Sequence, residues 1–82
     1  MIENITTEKM MISKFEKRMN KAEEKMMSST NRETVKRAQA SWRFYMNMVE
    51  YHHAKEAGKH AAASAYLNIA NSIMESIKLG SF

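Results

Sequence analysis

The side chains with chemistry to offer in this chain are three histidines, nine acidic residues and a scatter of serines and threonines. His52 and Glu56 stand four apart, which places them on one face of a helix. His53 and His60 flank Gly58 and would meet only across a turn there. Imidazoles suit zinc, copper or nickel. A firm site needs three or four converging ligands, and the two-histidine helix motif of zinc enzymes is missing. Nucleophilic catalysis would need a hydroxyl beside a histidine and a carboxylate. No nucleophile elbow, phosphate loop or paired-carboxylate motif is present, and two glycines cannot build a glycine-rich cradle. Cysteine is absent, which removes thiol chemistry, cysteine-based zinc sites and disulfides. The expectation is a chain that is not an enzyme, with no metal and no cofactor.

Charge offers a second kind of chemistry. The formal net charge is +4 and the isoelectric point about 9.5, mildly basic. Lys14, Arg18, Lys21 and Lys25 form one stripe, about 110° around a helix from the apolar face beside it. Glu16 and Glu23 fall on the opposite flank. Such a stripe can follow phosphates or steer an acidic partner; it also serves as a solvated flank. Acids are interspersed, and no turn between a positioning helix and a basic recognition helix is recognisable. Direct nucleic-acid binding is therefore the runner-up reading.

The third candidate is the stretch WRFYMNMVEYHH at 42–53, with the sole Trp and two of the three Tyr. It resolves into two stripes. Val35, Ala38, Trp42, Tyr45, Val49 and His52 form the main one, assigned to the core. Phe44, Met48 and Tyr51 lie roughly 120° around the same helix, near Ala40 and bordered by Arg37 and Lys55. Either this second stripe packs on a neighbouring helix, or it meets another chain. Aromatics, Met and Arg are enriched at interface centres. Among the nine methionines, Met10, Met11 and Met27 fall off the core stripe, and read equally as an adaptable binding surface or as a codon-usage habit without binding meaning.

The elements that must position these residues are helices. Proline is absent, valine occurs only at positions 35 and 49, and Met, Lys, Glu and Ala abound. The first helix spans about 7–28, opened by Thr6 or Thr7 as cap, with Glu8 at the positive end of its dipole. Ile12, Phe15, Met19, Ala22 and Met26 make its apolar face. Ser28-Ser-Thr-Asn31 reads as a turn. The second helix spans about 32–57, started by a Thr30–Glu33 capping box or by Asn31 as the competing cap, and ended by Gly58. The third spans about 60–79, with Ala62, Ala63, Tyr66, Ile69, Ala70, Ile73, Met74 and Ile77 apolar and Gly80 as its stop. Lys59 and His60 are poor caps, so one long helix over 32–79 is the alternative. The run Ala57-Gly-Lys-His-Ala-Ala-Ala63, with Tyr66 and Ala70, resembles the inner turn of a tetratricopeptide-type hairpin. Upstream, Asn47, Glu50, Tyr51 and Ala54 depart from that pattern and no second copy follows, so the resemblance implies hairpin packing and no family.

These readings converge on an all-α protein: a small antiparallel three-helix bundle forming a single helical domain over 1–82. The alternative is helix one plus one long helix in a helical dimer. Apolar faces exceed what 82 residues hide in one core, which favours a homodimer. No signal peptide or membrane span is recognisable, and the absence of staples fits a reducing cytoplasm. An amphipathic first helix lying on an anionic membrane is disfavoured by its Met- and Ala-rich face without Trp anchors. The expected function is a non-catalytic protein-interaction module, a small accessory or regulatory protein docking on a larger one. Its Met/Lys/Asn-rich composition is of the kind phage and mobile-element accessory proteins show. Partner contact is assigned to Phe44, Met48, Tyr51, Arg37 and Lys55, and electrostatic steering to Lys14, Arg18, Lys21 and Lys25.

Overall fold

The computed structural model of the chain describes residues 7–81. Three helices follow one another: α1 (Thr7–Ser28), α2 (Arg32–Glu56) and α3 (His60–Leu79). Thr7 is already helical, so the alternative cap Thr6 lies outside the described residues, as does Phe82 of the tail. At the start of α2, Asn31 wins over the Thr30–Glu33 box: its Oδ1 accepts the Thr34 N–H at 3.0 Å. Ser29 supports the cap, its Oγ accepting the Asn31 N–H at 3.2 Å. A short side-chain amide oxygen on a residue with extended backbone reaches the first-turn donors directly, and one such acceptor leaves the box redundant.

The break between α2 and α3 is real, and the single rod over 32–79 does not form. Gly58 takes φ +75°, where a side chain would be strained. Lys59 N–H then donates to Ala54 C=O at 2.8 Å and Gly58 N–H to Lys55 C=O at 3.1 Å. These two bonds satisfy carbonyls that the helix end would otherwise orphan. The same pair of bonds closes α3, around Gly80 at φ +71°. Lys59 caps α3 without any side-chain hydrogen bond, so the turn is held by the end of α2 rather than by the start of α3.

Packing runs along two seams, both on α2. The α1–α2 seam mirrors about the Asn31 turn: Glu8 meets His52, and Phe15 stacks on Tyr45 with ring centroids 6.0 Å apart. Ile12, Phe15 and Val49 are buried together, with Met11, Tyr45 and Met48 packed against them. Each such buried side chain contributes about 1.5–3 kcal/mol. The α2–α3 seam is built of small residues. Ala40, Asn47 and Ala54 are buried seven apart on α2, against buried Ala63, Ala70 and Ile73 of α3. Buried Asn47 is satisfied within its own helix, Nδ2 donating to Arg43 C=O at 2.8 Å.

The two seams dictate the shape. Tyr45 and Asn47, one in each seam, are two residues apart and so point about 160° away from each other. With α1 and α3 on nearly opposite sides of α2, no Cα atoms of the described parts of α1 and α3 come within 8 Å of each other. The bundle is a slab of 46 × 31 × 15 Å, little thicker than one helix with its side chains. The sequence left the Phe44 stripe open to a neighbouring helix or to another chain; α3 does not take it and follows the Ala40–Asn47–Ala54 line instead. Close approach of two helices needs small side chains, and the aromatics at 44 and 51 are too large for that seam.

Candidate interaction faces

A slab has two broad faces, and the sequence-assigned residues fall largely on one. Phe44, Met48 and Tyr51 lie between the seams and are half-buried. Phe44 packs edge-on against Tyr45 at 5.4 Å, and Met48 leans on the Ile12–Phe15–Val49 cluster. Tyr51 sets its ring edge to His52 at 4.8 Å and carries Lys55 Nζ 5.2 Å over its face. The stripe is thus neither a helix seam nor a free patch. Its inner side packs against Tyr45, His52 and the core cluster, and the stripe as a whole stays partly exposed.

Lys55 and His52 are tied together by a residue that spacing could not single out, Glu8. His52 Nδ1 lies 2.7 Å from Glu8 Oε1, and Lys55 Nζ lies 3.5 Å from the same oxygen. His52 also stacks on Phe15 at 5.8 Å and is buried. The hydrogen bond from His52, helped by the Lys55 charge against some desolvation, holds the Glu8 carboxyl below its usual value. With Nδ1–H donating to Glu8, the buried Nε2 has no partner. His52 is therefore a latch between α1 and α2. His53 and His60 are exposed, and among the described residues no three His, Asp or Glu side chains converge as metal ligands.

The basic stripe does not stand alone. Arg18, Lys21 and Lys25 of α1 line a cleft of about 700 Å³ with Arg37 of α2. Buried Ala22 and Ala38, at the same level of the seam, open its floor. Thr34, Ser41 and Tyr45 add hydroxyls, and no carboxylate lines the cleft. Lys14 stands outside this cleft, in a neighbouring groove of α1 that it lines with Lys17 and that Arg18 and Lys21 share. Sequence reasoning had Arg37 beside Phe44 and the cations on α1, but the mirror register that joins them depends on the turn at 29–31.

The opposite broad face holds a groove of about 1180 Å³ between Met26, Trp42, Ile69 and Ile73. Trp42, expected in the core stripe, sits at its edge, half-buried, with a buried Nε1–H that finds no acceptor. Met10, Met27 and Leu79 are exposed, whereas Met11 is drawn into the core cluster. No described helix is long and apolar enough to cross a membrane.

No protein-family model matches this chain, and no curated protein or solved structure is significantly similar to it.

Proposed function

We propose that the chain is a non-catalytic protein-interaction module that docks on and modulates a larger protein. The observation that carries this reading is the Phe44–Met48–Tyr51 stripe, packed on its inner side against the core and only half-buried. Rings fixed in this way lose little entropy on binding, which is what an interface anchor requires. Arg37 and Lys55 border the stripe, and Lys14, Arg18, Lys21 and Lys25 supply the field that steers an acidic partner. The slab architecture adds to the reading. A layer little thicker than one helix covers neither face of α2, and domains gain stability by packing a second layer. A second copy stacked face to face is the homodimer that belongs to this proposal.

The test is Phe44→Ala with Tyr51→Ala, checked for folding by circular dichroism. The double variant is expected to change the mass measured by light scattering or to lose a captured protein partner. Unchanged mass together with unchanged capture would refute the reading. A basic nucleic-acid binder is the second reading, favoured by the carboxylate-free cleft of Arg18, Lys21, Lys25 and Arg37. Reversing Lys14, Arg18, Lys21 and Lys25 abolishes binding in that case, but only slows association with a protein.

A further inference from the structure

We infer that the cleft between α1 and α2 is a binding site for a compact polyphosphate, such as the triphosphate of a nucleotide or the free ion. Cations reach it from both walls, Arg18, Lys21 and Lys25 from α1 and Arg37 from α2. Among the described residues Arg18, Lys21 and Lys25 have no ion-pair partner. Lys21 and Lys25 repel each other across one helical turn, a cost that a bound anion removes. Arginine presents a planar fork that matches phosphate oxygens, and lysine adds point charge. The hydroxyls of Ser41 and Tyr45 can donate to the same oxygens.

A cleft with two cationic walls suits a compact anion. Arg18, Lys21, Lys25 and Arg37 line a cavity of about 700 Å³, within the range of small-molecule sites, and Lys9, Lys14 and Lys17 continue the basic surface beyond it along α1. That cavity exists because alanines at 22 and 38 face each other where larger residues would fill the seam. The site uses the α1–α2 seam and shares Arg37 and the steering cations Arg18, Lys21 and Lys25 with the proposed docking reading, but not Phe44, Met48 or Tyr51, so the phosphate titration and the Phe44–Tyr51 variant fail separately.

The experiment is isothermal titration calorimetry with inorganic tripolyphosphate at about physiological salt, on the full chain. One ion is expected to bind per chain. Lys21→Gln with Lys25→Gln should weaken binding roughly tenfold or more. Ser41→Leu, which fills the cleft without changing charge, should weaken it comparably. Lys14→Gln with Lys17→Gln removes the same charge outside the cleft and should leave affinity within about threefold. Equal weakening by the two charge variants would overturn the proposal, as would several ions per chain or no binding. A single-stranded oligonucleotide forms the other arm. Tighter binding of the oligonucleotide, with equal dependence on Lys14 and Lys17, would also overturn it and point to a strand-tracking surface.

Discussion

At the residue scale, two side chains decide how the ends of α2 are held. Asn31 accepts the Thr34 N–H, whereas the alternative box residue Thr30 is exposed. Asn31→Ala should therefore cost about 1 kcal/mol in urea unfolding, and Thr30→Ala close to nothing. At the other end Glu8 binds His52 and Lys55 across the seam. Because its folded carboxyl is held below the ordinary 4.5, its contribution is complete above that value and disappears as pH falls through the lowered one. Melting temperatures of the wild type and Glu8→Ala should differ near neutral pH and converge in acid. A gap that persists in acid would mean that Glu8 acts through packing alone. The two residues also differ in how legible they were. The Asn31 cap was one of two readings that local spacing allowed. The Glu8–His52 contact joins residues 44 apart, and no local pattern encodes it.

At the element scale, the helices were legible because their stops are chemical. Gly58 and Gly80 both take positive φ, and each is followed by the bonds that close a helix end. An added Cβ at Gly58 would meet nothing within 4 Å, so Gly58→Ala isolates the backbone effect. It should destabilise by about 1–2 kcal/mol in chemical denaturation; no change would show that the turn relaxes. The core stripe of α1 was legible too, since Ile12, Phe15 and Ala22 are buried on the predicted face. What was not legible was the second seam of α2. Periodicity weights large apolar residues, and so it selected Phe44, Met48 and Tyr51. The helix–helix contact instead follows Ala40, Asn47 and Ala54, where small size matters more than hydrophobicity. An asparagine in a seam reads as polar until its bond to Arg43 is known.

At the scale of the whole molecule, the angle between the two seams governs everything else. Had they been about 100° apart, α1 and α3 would have met and one face of α2 would have closed into a core. Set nearly opposite, they leave both broad faces of α2 open. On one, half-buried rings and a cation-lined cleft are brought side by side, and on the other lies the Trp42 groove. The charge stripe of α1 was readable from spacing. Its convergence with Arg37 was not, because that depends on which side of α2 the first helix returns along. The central claim is that the Phe44–Met48–Tyr51 face is where another protein chain sits. The most direct measurement replaces Phe44 by the photo-crosslinking residue p-benzoylphenylalanine, and in a second protein replaces exposed His53 on the opposite side in the same way. After irradiation in nuclease-treated lysate, a discrete protein adduct is expected from position 44 and not from position 53. Adducts of equal yield from both positions, or from position 53 alone, would contradict the account.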